Sequence, residues 1–292
     1  MLRTIRKLFF AEDVVVGGPD VPVTLRDVLD NDWFELWYQP KIELRSKRLA
    51  GAEALVRARH PHRGVLSPGV FLPKAREDDM LALTERVIIT ALRDWEEFAA
   101  HGLSLRIAVN TPVSAFTRLA IADMIRAERP KAANWPGLIL EVTEDEIIRD
   151  LDIANEVAAD IGDAGCKLAL DDFGAGYSSL ARLKQLPFSE LKIDRSYVTD
   201  CHIDRINAGL CTVIVELGQR FGLKTVAEGI ETIHECHKLQ GLGCDIGQGY
   251  LFAKPMSRAQ FIGTARKRMV ARPTESDDVP PPDLTIGAHL PR

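Results

Sequence analysis

The chain has no long apolar run, no paired cysteines and no excess of positive charge, and each absence removes a class of function. No stretch approaches the ~18 consecutive apolar residues of a membrane-spanning helix, so no transmembrane segment is expected. The formal net charge of −5 offers no electrostatic footprint for DNA or RNA, which argues against a nucleic-acid polymer as partner. Cys166, Cys201, Cys211, Cys236 and Cys244 are scattered without a CxxC pair. That pattern suits reduced thiols in the cytoplasm better than a disulfide framework or a zinc knuckle.

What is present is ample material for one core, with 292 residues of which 46% are hydrophobic. The first 23 residues read as an N-terminal extension. Its basic residues precede Leu8, Phe9 and Phe10, an apolar patch too short for a signal peptide. An ordinary starting helix is expected there, with membrane or partner docking as the alternative. Residues 272–292 hold five of the sixteen prolines and read as a disordered tail without chemistry.

Between these ends, from 24 to 271, strand-like runs alternate with amphipathic segments. The spacing predicts strands over Phe34–Leu44, Ala50–Arg57, Arg106–Asn110, Leu138–Thr143, Lys167–Asp171, Leu191–Asp194, Lys224–Glu228 and Cys244–Phe252. Helices are expected over Thr84–Ala100, Val113–Glu128, Leu151–Ala164, Ser178–Gln185, Ile203–Phe221 and Ile233–Gln240. Eight strands in such alternation predict an α/β fold, a (β/α)8 barrel of the TIM type, with a doubly wound open sheet as the alternative.

The chain is organised around residues 167–198, a strand–helix–strand unit with two acids ending its first strand and a lysine in its second. In such barrels the chemistry sits at the C-terminal ends of the strands. With a period of two, successive strands offer Glu53, Asn110, Glu141, Asp171 with Asp172, Lys192, Glu228 and Gln248, in most cases near those ends. A single polar residue at a strand end is ordinarily a cap or loop contact. Seven strands in succession imply convergence on one mouth. Two like charges 4 Å apart repel by about 4 kcal/mol at an effective dielectric of 20, so the cluster needs cations. The donors are oxygens without histidine or cysteine, which favours Mg²⁺ or Mn²⁺ over zinc. Two metals sharing Asp171, with a lysine beside them, suggest phosphodiester hydrolysis.

The same residues carry a family resemblance. Glu53-Ala54-Leu55 lies in GAEALVR, after YQP at Tyr38–Pro40 and before FLP at Phe71–Pro73. Val109-Asn110, EVTE at Glu141–Glu144, DDFGAGYSSL, LKID, VAEGIET and QGYLFAKP follow in order. From about Phe34 to Met256 the chain resembles the EAL-domain cyclic di-GMP phosphodiesterases of bacterial second-messenger signalling. A lone EAL tripeptide carries no weight, whereas nine motifs in order are specific. The resemblance implies a barrel whose first strand runs antiparallel to the others. It implies two Mg²⁺ or Mn²⁺ ions held by Glu53, Asn110, Glu141, Asp171, Asp172 and Glu228. Asp172 and Lys192 would act on the attacking water, with Glu228 and Gln248 at the remaining catalytic positions. Leu55 and Arg57 would contact the substrate, an arginine fork suiting a phosphate. Glu144 would steady the loop after Asp172, through which a homodimer is implied. The expected reaction opens cyclic di-GMP to linear 5′-pGpG by attack of a two-metal-activated water.

Three positions depart from the family pattern. Ala175 replaces a threonine of the loop, Arg76 replaces an acid, and Ala58 replaces a tryptophan, which is expected to open a wall of the substrate site. No GGDEF-type synthase motif appears and no sensory module is expected ahead of the barrel. Several tempting residues have plainer readings. His60 and His62 flank Pro61 in what reads as an exposed loop. Asp194 is expected either to pair with Lys192 or to take part in catalysis. Glu231 reads as a helix-start acid or loop brace, Cys244 as an inert buried thiol, and Arg266–Arg268 as a solvated helix end. Against the hydrolase stand a catalytically weak cyclic di-GMP receptor, an enolase-like barrel and a silent scaffold. The complete ligand set with Lys192 argues against the receptor.

Overall fold

Leu36, Tyr38, Ala52, Ala54 and Val56 alternate with polar or interior-facing neighbours, and that alternation folds the first two long strands into a hairpin. The computed structural model describes residues 22–143, 158–174 and 187–270, with side chains described as far as Arg266. β1 (Phe34–Glu43) and β2 (Leu49–His60) pair antiparallel from Phe34↔Ala58 to Ile42↔Leu49. β3 (Gly64–Leu66) lengthens the hairpin on the far side of β2. From β2 the sheet continues in parallel through β4 (Arg106–Asn110), β5 (Leu138–Thr143), β6 (Lys167–Phe173), β7 (Phe188–Ile193), β8 (Lys224–Ala227) and β9 (Ile246–Gly247). β1 closes the ring by pairing antiparallel with β9 as well as β2, so the eight-stranded barrel has the expected reversed first strand. β10 (Met256–Ser257) adds to the same edge of β1 at Trp37 and Tyr38. Pro40, which has no N–H to donate, falls between the β10 and β9 pairings, where no ladder bond is asked of it.

The helices are set by their caps. α1 (Leu25–Asp30) opens on a capping box formed by Thr24 and Asp27. α2 (Pro68–Phe71) follows the hairpin, and α3 (Glu77–Ala100) starts seven residues before the expected Thr84. Its first turn, Glu77-Asp78-Asp79, is too polar to show apolar periodicity but suits the positive end of the helix. Val87, Ile88, Ala91, Leu92, Trp95 and Phe98 give it one buried face, pinned where Trp95 Nε1 donates to Leu105 O at 3.0 Å. The expected helix over Val113–Glu128 is two, α4 (Val113–Arg118) and α5 (Ile121–Glu128), because Leu119 adopts an extended conformation. α6 (Arg195–Val198) follows β7. α7 (Arg205–Phe221) begins after its N-cap Asp204 and ends on left-handed Gly222. α8 (Ile233–Leu242) has a Thr232–Glu235 capping box, and α9 (Arg258–Val270) returns to the barrel wall. There Phe261 packs with Phe98 against Tyr38, while Tyr38 Oη donates to Asp94 at 2.6 Å and Arg258 pairs with the same carboxylate. The helix expected over Leu151–Ala164 is described only at residues 158–163, which are helical. The one over Ser178–Gln185 lies outside the described residues, as do residues 1–21 and 271–292.

The core lies between the outer faces of the strands and the helices, with Ala54, Val56, Ile107, Val109, Leu138, Leu140 and Leu191 among its buried members. The barrel interior is different. Its apolar residues are few, a patch of Ala108, Ile139 and Ala169 with Leu55 and Val226 apart from it, and they stand among buried polar and charged side chains. The two alanines, on either side of Ile139, leave room for long charged side chains to cross the barrel.

Candidate active site

Residues on the inner face of each strand point into the barrel, and their order along the strands stacks them from floor to mouth. Register places Glu53 beside Gln39, Asn110 beside Glu141, and Asp171 beside Thr143. Lys192 rises from β7 next to Val226, Glu228 follows β8, and Gln248 follows β9. Neighbouring strand residues ordinarily face opposite sides, so Asp171 and Asp172 present a problem for a regular strand. The chain solves it with an irregularity between Leu170 and Phe173, where Asp172 takes φ +57° and its N–H donates to Asp171 Oδ1 at 2.8 Å. Aspartate tolerates this left-handed backbone better than most residues. Oxygens of Asp171, Asp172 and Glu228 thereby come within 4.8 Å of one another.

Lys192 is the hub. Its buried Nζ lies 2.6 Å from Glu141 Oε2, 2.6 Å from Glu228 Oε1, 3.1 Å from Asp171 Oδ2 and 4.0 Å from Glu53 Oε1. Burial alone would lower its pKa, but Asp171, Glu141, Glu228 and Glu53 outweigh it and hold the ammonium well above the ordinary lysine range. Burial likewise raises Glu53 and Glu228, against the pull of Lys192. Glu141 goes the other way. Burial opposes its charge, yet Lys192 and Lys41 together draw it down to about 2. The side chain of Asn110 donates to Glu53 Oε1 at 2.8 Å, leaving its own Oδ1 as acceptor. Gln248 Nε2 donates to Glu53 and to Gln39, and its buried Oε1 has no hydrogen-bond partner among the described residues. Thr143 Oγ1 is likewise buried and without a partner among the described residues.

Leu55 and Arg57 share the Glu53 face of β2. Arg57 is buried, donates to Val56 O at 2.8 Å, and holds its guanidinium 5.7 Å from the centre of the Trp37 ring. Glu144 and residues 175–186, including Ala175, lie outside the described residues. The described start of that loop is anchored where Tyr197 Oη donates to Gly174 O.

Ala58 corrects an expectation. It lies on the face of β2 opposite Arg57, fully buried in the outer core, so the absent tryptophan opens no wall of the mouth. Asp194 accepts the Ser196 N–H at 3.0 Å as the N-cap of α6. Glu231 braces its loop by pairing with Arg195 at 2.6 Å, and the acid in the first turn of α8 is Glu235. His60 Nδ1 accepts the backbone N–H groups of His62 and Arg63 in an exposed turn. Burial pushes the Cys244 thiol up to about 11, which makes it inert. Arg76 pairs with Asp79 at the start of α3.

Sequence reasoning missed Gln39, Lys41 and Glu190, all buried in the barrel interior. Lys41 Nζ lies 3.1 Å from Glu141 Oε1 and 2.8 Å from Glu190 Oε2. The recurrence of inward polar residues in β1 and β7 was the available signal. A second group, Asp200, His202 and Glu235, gathers at the end of α6, but both Glu235 oxygens accept backbone N–H groups there and serve as a brace.

Two ammonium groups, Lys41 and Lys192, face six carboxylates: Glu53, Glu141, Asp171, Asp172, Glu190 and Glu228. The carboxylates outnumber the cationic side chains of this interior, which suits added positive charge. The rim donors are oxygens, so the residues present fit a hard cation.

Acids gathered at the C-terminal mouth of a barrel around a buried lysine form a site that could hold hard cations. The EAL domain model matches residues 23–255, and the chain belongs to the EAL domain family. It is 37% identical over 243 residues to the bifunctional diguanylate cyclase/cyclic di-GMP phosphodiesterase MucR of Pseudomonas aeruginosa, an alignment covering 82% of this chain and 36% of MucR. To the cyclic di-GMP phosphodiesterase RocR of the same organism it is 37% identical over 236 residues, covering 80% of this chain and 60% of RocR. The chain thus spans about a third to three-fifths of these relatives. The solved PaMucR phosphodiesterase in complex with c-di-GMP superposes with a TM-score of 0.75 at 38% identity, covering 81% of this chain and 97% of that one.

Proposed function

We propose that this chain hydrolyses cyclic di-GMP to linear 5′-pGpG, using two Mg²⁺ or Mn²⁺ ions, and so lowers the level of that second messenger. The observation that carries the reading is the convergence of Glu53, Glu141, Asp171 and Glu228 on Lys192 at the barrel mouth. Family membership and the cyclic di-GMP relatives support it.

Glu53, Asn110, Glu141, Asp171, Asp172 and Glu228 would hold the two ions, which when bound supply an activated water and neutralise the phosphate. Asn110 suits this role because its Nδ2 is committed to Glu53 and its Oδ1 is left to ligate. Lys192 keeps its proton, so it serves as a fixed positive donor toward the water and phosphate and not as a base. Asp172, half-buried at the rim, is placed to accept a hydrogen bond from that water and orient it. Gln248 orients Glu53 from the other side. Leu55 and Arg57 line the approach to the phosphate.

The catalytic unit extends through 24–271 in this reading, because α9 packs on β1 through Phe261 beyond the end of the family match. Glu144 steadying the loop, and a homodimer through that loop, belong to the same proposal. Among the described residues no helix is long and apolar enough to cross a membrane. The five free thiols support a cytoplasmic setting.

Chromatography of products from purified protein, cyclic di-GMP and Mn²⁺, beside an EDTA control, tests the proposal. Linear pGpG in the first and none in the second is the expected result. Binding without product would instead favour the receptor.

A further inference from the structure

Glu141 has no solvent access, and each of its carboxylate oxygens is held by a different ammonium group. Lys192, on Oε2, also touches Asp171 and Glu228 at the mouth. Lys41, on Oε1, touches Glu190 instead. Because β1 runs antiparallel to its neighbours, Lys41 lies opposite Gly51, two residues deeper than the Gln39–Glu53 pair. It enters from the barrel floor, beside a 260 Å³ cavity also lined by Arg106, Ile139 and Glu190. Gly51 has no side chain to obstruct it, and a Cβ there would come 2.8 Å from Arg106 O. The two oxygens of Glu141 therefore face different environments, one toward the rim acids and one toward a fixed floor cation.

We infer that Lys41, braced by Glu190, is a positioning residue that restrains Glu141 to a single ligating oxygen. The lysine acts through Glu141 and touches neither metal nor substrate. A carboxylate free to rotate offers a cation both oxygens. One held from below offers Oε2 alone, in one orientation, which keeps the ions where turnover needs them. Lys41 also places a positive charge close beneath the metal ligands. The structure thus trades some cation affinity for a fixed ligand geometry.

This inference rests on the hydrolase reading, and its test separates the two. Wild-type turnover alone tests that reading, while calorimetric Mn²⁺ titration of wild type and Lys41→Met reads the restraint even without turnover. Lys41→Met, melted by circular dichroism to verify folding, is expected to bind Mn²⁺ at least threefold more tightly than wild type. Its kcat at saturating Mn²⁺ is expected to fall at least fivefold, with KM for cyclic di-GMP within twofold. Lys41→Met/Glu190→Gln, which removes both charges of the pair, should stay equally slow. Should Lys41→Met fail to fold, Glu190→Gln loosens the brace alone and should lower kcat at least twofold without weakening Mn²⁺ binding. Equal or weaker Mn²⁺ binding in Lys41→Met, a smaller loss of kcat, or recovery in the double variant would overturn the inference and leave the pair a structural ion pair.

Discussion

Lys192 Nζ and Glu141 Oε2 are 2.6 Å apart, and both residues are shielded from water. An ion pair at that depth is poor evidence for stability, since desolvating two charges offsets most of their attraction. Its consequence is chemical. Glu141 stays ionised, and Lys192 carries a permanent charge at the point where three further carboxylates meet.

Replacing that charge removes a preorganised electrostatic donor. Lys192→Met is expected to lower kcat by about 10²–10³-fold, the usual effect of losing one such group. Steady-state kinetics at saturating Mn²⁺ measures this, and activity within tenfold of wild type would contradict the assigned role.

Stability in the absence of metal should depend on pH with a definite sign. Burial raises Glu53 and Glu228 above the ordinary value of 4.5. A raised acid contributes its stability below its unfolded pKa and loses it as pH rises through the folded one. A divalent cation takes the place of that proton. The Tm increment on adding Mn²⁺ should therefore be larger at about pH 8 than at about pH 5.5, by scanning fluorimetry. Glu141 behaves oppositely: drawn to about 2, its contribution is lost only as pH falls from 4.5 toward that value. Equal Mn²⁺ increments at the two pH values would contradict the assignment.

The left-handed turn at Asp172 separates backbone from charge. Asp172→Asn keeps a residue tolerant of φ > 0, so its unfolding free energy should stay within about 0.5 kcal/mol of wild type while activity is lost. Asp172→Val should lose activity and a further ~1–2 kcal/mol, because a branched side chain clashes in that conformation. Urea titrations of both proteins check the difference.

Gly51→Ala tests the floor. Its Cβ would press on Arg106 O, a backbone atom that cannot swing aside. A destabilisation of roughly 1–3 kcal/mol is expected from overpacking. Chemical denaturation reads it, and unchanged stability would show that the strands separate more easily than their register suggests.

Much of the barrel was legible because its strands carry a period of two, and Arg106–Asn110 and Leu138–Thr143 begin and end as expected. Glu53, Glu141, Asp171 and Lys192 were visible as polar interruptions near strand ends, and the structure brings them together. Other features carried a weaker mark, a polar residue recurring on one face of β1 and of β7. Lys41 follows a proline in a strand that reads as an edge, and only the reversed direction of β1 sends it to the barrel floor beneath Glu141. Glu190 looks like a solvent-facing residue of FSELKI until its partner is known. The last strand, Ile246–Gly247, is shorter than the pattern over Cys244–Phe252 predicts. It stops at Gly247, because at Gly249 the backbone lies so close to Ile230 that a Cβ would be 2.1 Å from its carbonyl oxygen. The break at Leu119 has neither glycine nor proline to announce it.

Anomalous diffraction at the manganese edge, from crystals of the wild-type chain grown with Mn²⁺, tests the central claim most directly. Two peaks should appear at the barrel mouth, both beside Asp171, with Glu53, Asn110 and Glu141 around one of them. Metal-saturated crystals without a peak at Asp171 would contradict the account.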